Sequence, residues 1–332
     1  MTECYEKHLF GTSTKILANE GIVDNFDLFI FTVGWESRCT EITKYSTENF
    51  TFDSTLILSF KPGGEKGYHT NYMDKIRSLA EEKSIEIHEI ESDPNNLGFI
   101  GEKIEEIIKR LIQKLNRPLI IGFDITSCPR YFFLHFLAFC LKHNLSKRIS
   151  FFYSEGEYKT ENENFIHTKG EWEIIEIPTF ESEIDPEYRS LFVASVGFKG
   201  RRCKSLLSKY EPHEIGILLP VPGYNEKYTN KAKKECSDLR EDFFISDENI
   251  AVAPAGDAIA AWESLKKKSL NKEKHRITYL TLGPKPHVLA MGIHGFLNRY
   301  TLTYRIPEGY TKIEVESNGV VWKYDIKNLI FL

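Results

Sequence analysis

Long apolar runs alternate with amphipathic stretches along most of this chain. "FDLFIFTVG" (26–34) reads as a buried strand, as do "STLILSF", "IEIHEI", "PLIIGFDI" and "RISFFYS" further on. Between them lie helical patterns. "YMDKIRSLAEEK" places Ile76 and Leu79 on one face, and "GEKIEEIIKRLIQKL" repeats apolar residues at 104, 107, 108, 111, 112 and 115. "PRYFFLHFLAFCLKH" is apolar almost all round and opens with proline, which suits the first turn of a helix. The "KGEW" stretch (169–172) predicts the turn of a closing β-hairpin. From residue 190 the order recurs, with "SLFVASV", "EIGILLPV", "ITYLTL" and "LTYRIP" as strands. Continuous apolar strands separated by helices predict a doubly wound, mainly parallel α/β sheet.

The recurrence extends to short motifs. "IFTVGWESRC" (30–39) matches "VASVGFKGRRC" (193–203), and "KPGGEKGYHTN" (61–71) matches "VPGYNEKYTNK" (221–231). "DITSCPR" (124–130) matches "YLTLGPK" (279–285), "YSEGEYKT" matches "RIPEGYTK", and "TKGEWEIIEI" matches "SNGVVWKYDI". The offsets drift in order from 163 to about 150, as an internal duplication requires. The expected organisation is two tandem Rossmann-like repeats, residues 1–178 and 190–332, each ending in a hairpin and joined by a linker at 179–189.

Ligands of such sheets bind beyond the carboxyl ends of the strands, and the repeated motifs fall there. The first loops offer Gly34, Glu36 and Arg38, against Gly197, Arg201 and Arg202. The second loops offer Gly63 and Gly223, with Tyr68 and Tyr228 as residues that would either stack a base or pack inward. The fourth-strand loops offer Asp124, Thr126, Ser127 and Arg130, against Thr281, Gly283, Lys285 and His287. Hydroxyls and a cation ahead of a helix N-terminus suit a phosphate. The same residues also serve as helix-entry residues, and Glu36 with Arg38 also reads as a plain salt bridge. Cys39 and Cys203, one turn into their helices, read as packing residues.

Composition narrows the partners. The formal net charge is −5, with −6 over residues 1–172 and +1 over residues 173–332, so neither half is a basic arm and no basic face for duplex DNA is expected. None of the six cysteines forms a C-x-x-C pair, and no metal-ligand spacing or cofactor motif is present, so no metal or cofactor is expected. No apolar run reaches the length of about 18 residues that a membrane span needs. The charged N-terminus is unlike a secretory signal, so a cytoplasmic protein is expected.

"FDITSCPRYFF" resembles the Asp-x-Thr-Gly-Gly-x-Lys-x-Met loop of CRISPR-associated Rossmann-fold (CARF) sensor domains. "YLTLGPKPHVLAM" resembles the same loop without its acid. Ser-Cys-Pro-Arg and Gly-Pro-Lys-Pro stand where the family prefers Gly-Gly-x-Lys. The resemblance implies that Asp124, Thr126, Arg130, Thr281 and Lys285 contact a ligand, with the first-strand loops as their partners. It further implies a cyclic or short oligonucleotide bound between two pseudo-symmetric halves. The expected function is a nucleotide sensor in antiviral defence signalling, with a separate effector protein and a further homodimer as candidate partners. Two other readings stand beside it. One is a hydrolase of nucleotides or oligonucleotides, with Glu36, Asp124 and His287 as candidate catalysts. The other is an interaction scaffold.

Overall fold

The computed structural model describes residues 10–16, 24–60, 70–83, 86–93, 96–158, 168–180, 187–197, 200–267, 275–310 and 314–327. The chain divides into two compact units. Unit 1 holds residues 1–172 together with 307–332, and unit 2 holds residues 173–306.

In unit 1 the parallel strands are β2 (Asp24–Val33), β3 (Phe50–Phe60), β4 (Glu86–Ser92), β5 (Leu119–Asp124) and β6 (Ser146–Tyr158). They lie in the order β4-β3-β2-β5-β6. Their crossovers are α1 (Glu41–Asn49), α2 (Thr70–Lys83), α3 (Leu97–Leu115) and α4 (Arg130–His143). Unit 2 repeats the order as β10-β9-β8-β11-β12, built from β8 (Arg189–Ser195), β9 (Glu214–Pro220), β10 (Ile250–Ala253), β11 (His275–Leu280) and β12 (Thr301–Tyr310). Here the helices are α5 (Gly200–Tyr210), α6 (Glu226–Phe243), α7 (Ala258–Lys267) and α8 (Lys285–Asn298). Two doubly wound α/β sheets with one strand order are what the duplicated apolar pattern predicts.

Burial explains the elements. Nine of the ten β2 residues are buried, and Phe26, Phe29, Phe31, Phe50, Phe52 and Phe152 pack around it. Phe50 and Phe152 stand 4.8 Å apart at a tilt of 54°, and Phe26 meets Phe29 edge-on at 5.4 Å, geometries that aromatic quadrupoles favour. In α3, Ile100, Ile104, Ile108 and Leu111 form one buried stripe, and Asn116 ends the helix in the left-handed conformation. Helices α4 and α8 each bury ten of their fourteen residues, so both lie inside their units.

The expected terminal hairpins do not form. β7 (Thr168–Glu176) runs as a strand through the predicted "KGEW" turn and flanks β12 in the second sheet. β13 (Val315–Lys327), from the end of the chain, pairs antiparallel with β6 in the first sheet. The strands that close the two repeats are thus exchanged. The "SNG" turn signal becomes a bulge inside β13, between Ser317 and Val321, with Gly319 at φ +83°. A further strand, β1 (Phe10–Ile16), pairs antiparallel with β13.

A buried polar cluster holds β13 in place. Lys323 Nζ lies 2.6 Å from Asp24 Oδ2 at the start of β2 and 3.1 Å from Asp325 Oδ2. Ser150 of β6 donates to Asp325 Oδ1 at 2.6 Å, and Arg148 reaches Asp24 Oδ1 at 3.1 Å. Lys323, Asp24 and Asp325 are each 7% exposed or less, so each charge depends on its partners. Replacing Lys323 by Ala removes the cation shared by two buried carboxylates and leaves Asp325 only its hydroxyl donor, and denaturant unfolding should show a loss of about 3 kcal/mol. Lys44→Ala, at an exposed pair with Glu41, should cost no more than about 1 kcal/mol in the same assay.

Candidate functional site

In each unit the first strand has a neighbour on either side, and the chain winds away in opposite directions from it. The topological switch points therefore lie between β2 and β5 in unit 1 and between β8 and β11 in unit 2. At both, a glycine on one strand's loop faces a serine on the other's. A Cβ on Gly34 would stand 2.8 Å from Ser127 Cβ, and a Cβ on Gly283 would stand 1.9 Å from Ser195 Oγ. The serine occupies the space that any larger residue would need. Gly197, by contrast, would meet Leu282 O at an ordinary 3.6 Å.

In unit 1, Thr32 Oγ1 donates to Asp124 O at 2.9 Å, and Asp124 Oδ1 accepts from Thr126 N at 2.8 Å. Thr126 Oγ1 accepts from Ser154 N at 3.0 Å. Asp124 and Thr126 are fully buried and shape the loop that leads into α4. Arg130 is the first residue of α4 and is half-buried. Glu36 and Arg38 form the salt bridge that their spacing allows, at 2.5 Å. Arg38 also reaches Tyr153 Oη at 3.4 Å and Ser154 O at 3.3 Å. Its guanidinium lies where a Cβ on Gly156 would stand, at 2.6 Å. Glu155 accepts from Trp322 Nε1 at 2.6 Å and from Asn318 Nδ2 at 2.8 Å. Gly63 and Tyr68 lie outside the described residues.

In unit 2, Thr281 Oγ1 donates to Thr303 O at 2.7 Å and ties its loop to β12, as Thr126 ties its loop to β6. Gly223 N donates to Thr229 Oγ1 at 2.8 Å, and a Cβ there would meet Thr229 N at 2.9 Å, so this loop folds onto the first turn of α6. Tyr228 is buried in that turn, which favours packing over base stacking. Arg201 and Arg202 sit in the first turn of α5, and their side chains lie outside the described residues. Asn225 caps α6 by accepting from Tyr228 N, and Asp257 Oδ1 accepts from Ile259 N and Ala260 N at the start of α7. Helix α8 has no side-chain cap, begins at Lys285, and carries His287 in its first turn.

His287 is fully buried. Its Nε2 stands 3.0 Å from Pro254 O, an oxygen that can only accept, so Nε2 carries the proton. Burial pushes its pKa down to about 4, against a weaker upward pull from the backbone carbonyls of Pro254 and Ala253. Burial likewise pushes the thiols of Cys39 and Cys203 up to about 12, as packing residues require. The acids beside them differ. Asp124, Glu36 and Glu314 add to the rise at Cys39, whereas Glu235 is the acid beside Cys203. Among the described residues, no group of three or more His, Cys, Asp or Glu is placed to hold a metal ion. No described helix is long and apolar enough to cross a membrane.

Ser195 was not singled out from the sequence, yet its signal was there. A hydroxyl residue precedes the loop glycine by two positions in both copies, as Thr32-Val33-Gly34 and Ser195-Val196-Gly197. Glu155 and Glu314 carried no such signal, because their roles depend on β13 lying beside β6.

No protein-family model matches the chain, and no curated protein does. Among solved structures, the chain is similar to the crystal structure of a functionally unknown protein from Pseudomonas aeruginosa PAO1. That match has 9% identity, covers 84% of this chain and 92% of the other, and has a TM-score of 0.23.

Two outcomes follow from the site. Gly283→Ala should lower the melting temperature by forcing Ser195 aside, and adding Ser195→Gly should restore most of the loss in a thermal melt. His287 stays neutral in the fold, so its contribution is complete above its ordinary value of 6.5 and is lost as pH falls toward 4. Between pH 7 and pH 5, urea unfolding of His287→Gln should show a stability loss about 2 kcal/mol smaller than that of the parent protein.

Proposed function

We propose that this protein binds a nucleotide or short oligonucleotide at the switch point of unit 2, with a phosphate on the N-terminus of α8 beside Lys285. One observation carries the reading. An α-helix that begins at Lys285 without a side-chain cap sits at the switch point of its sheet, directly after Gly283 and the buried Ser195 hydroxyl packed against it. That hydroxyl is fully buried and has no hydrogen-bond partner among the described residues. Helix N-terminal N–H groups, a neighbouring cation and a glycine loop together favour an anion. The neighbouring helices α6 and α7 have their first amides met by Asn225 and Asp257, unlike α8.

Binding is favoured over turnover by the placement of two candidate catalysts. Asp124 and His287 are fully buried, and Asp124 Oδ1 and His287 Nε2 are each tied to a backbone group of their own unit. The protein then acts as a sensor that passes ligand binding to a separate effector, in the defence signalling that the CARF-like loops suggest. The test is a thermal-shift screen with mononucleotides and with linear and cyclic oligonucleotides, read together with product mass. A ligand at a hundred times its Kd should add about 2.7 kcal/mol of stability and produce no new mass. Lys285→Glu should abolish the shift. A shift that survives Lys285→Glu moves the site elsewhere, and a new product mass replaces the sensor with a hydrolase.

A further inference from the structure

Two surface helices of this protein arrange their charges in opposite ways. On α3 the signs alternate and pair within unit 1: Lys103 with Glu106 at 2.8 Å, Lys109 with Glu105 at 3.2 Å, and Arg110 and Lys114 with Glu86 at 2.6 and 3.2 Å. On α6 the signs are segregated. Residues 226–234 carry four lysines and one glutamate, and residues 235–243 carry four acids and one arginine. Lys227, Lys231, Lys233, Lys234 and Asp238 meet no hydrogen-bond or ion-pair partner among the described residues. Like charges three or four residues apart, as at Lys227, Lys231 and Lys234, weaken a helix, so this arrangement does not serve α6 itself.

Tyr228, Ala232, Cys236 and Leu239 form the buried face of α6. Lys227, Lys231, Lys234, Asp238 and Glu241 form a separate line along it, in steps of four, three, four and three residues. That is the spacing of a seam at which two helices meet. Lys231 is half-buried and the other four are exposed. Asp242, beside the line, is taken by Lys204 at 2.6 Å. The line is basic in its first half and acidic in its second, so it is complementary to itself read backwards. Such a surface suits a twofold contact, in which one patch meets its own copy.

We propose that α6 is a self-docking face, through which two copies of this chain associate with their α6 helices antiparallel. A twofold axis level with residue 236 sets Lys234 opposite Asp238 of the partner subunit, and Lys231 opposite Glu241 of the partner subunit. Each pair then occurs twice. Phe244, which follows the helix with φ +53° and is 93% exposed, lies at the end of this contact, opposite the first turn of the partner helix. The association needs no ligand at α8. A small, polar contact of this kind is weak and is screened by salt.

Sedimentation equilibrium of the full chain tests this. At a protein concentration on the order of 100 μM, the parent should be largely dimeric at about 0.05 M salt and monomeric at about 1 M, where the Debye length falls to about 3 Å. Lys231→Glu with Lys234→Glu makes the line acidic from residue 231 onward, and Asp238→Lys with Glu241→Lys makes it wholly basic. Each double variant alone should be a monomer at low salt. Mixed, the two should form a heterodimer, and all four changes in one chain should restore the homodimer, results that a folding defect cannot produce. A parent that is monomeric at low salt overturns the self-docking face, as does a dimer that survives either charge reversal. A monomeric parent that binds oligo(dT) through Lys231 and Lys234 gives the face to a single-stranded nucleic acid instead.

Discussion

Lys323 buries a positive charge near the middle of β13, and parts of three strands are arranged around it. Asp24 comes from β2, Asp325 from β13 itself, and Ser150 from β6 fixes the second carboxylate. Such a cluster gains little over an apolar core, but it is severe toward any other register, because a misplaced β13 would take Lys323 and Asp325 from their partners and leave Asp24 with Arg148 alone. It therefore selects the pairing of the chain's last strand with β6 more than it adds stability. The neighbouring apolar contacts, Val321, Tyr324 and Ile326, are permissive by comparison.

That pairing determines what stands at the carboxyl edge of the first sheet. Because β13 runs antiparallel to β6, its first residues meet the last residues of β6. Ser317 meets Ser154, Trp322 and Asn318 hold Glu155, and Glu314 reaches Ser37. The edge of unit 1 therefore carries Glu36, Glu155 and Glu314, while both units open an uncapped helix on a cation, Arg130 in α4 and Lys285 in α8. The buried hydroxyls show the common frame that remains: Gly34 against Ser127, and Gly283 against Ser195.

The alternation of apolar strands and amphipathic helices, and the ordered repetition of motifs, were sufficient to identify two doubly wound sheets. Periodicity reports burial, and burial in a parallel sheet is nearly complete along each strand. The fourth-strand loops were legible because a threonine three residues before a proline at the helix entry recurs as Thr126 and Thr281, although the bonds these threonines make, to Ser154 and Thr303, lie far along the chain. Strands β1 and β10 escaped notice: one is polar, "FGTSTKI", and the other is four residues long.

Strand partnership was beyond the reach of local pattern. "KGEW" and "SNG" carry true turn signals, but hydrogen-bond partners far along the chain pulled β7 into one sheet and β13 into the other. The identity of the residues at the site followed from that choice. Gly34, Glu36, Arg38, Asp124, Thr126, Gly283 and Lys285 could be named from sequence, because the ends of strands and the starts of helices are local events. Whether each faced a ligand, a neighbouring carbonyl or a carboxylate from the chain's last strand was decided by packing, since only the folded sheet brings Glu314 to Ser37 and Ser195 to Gly283.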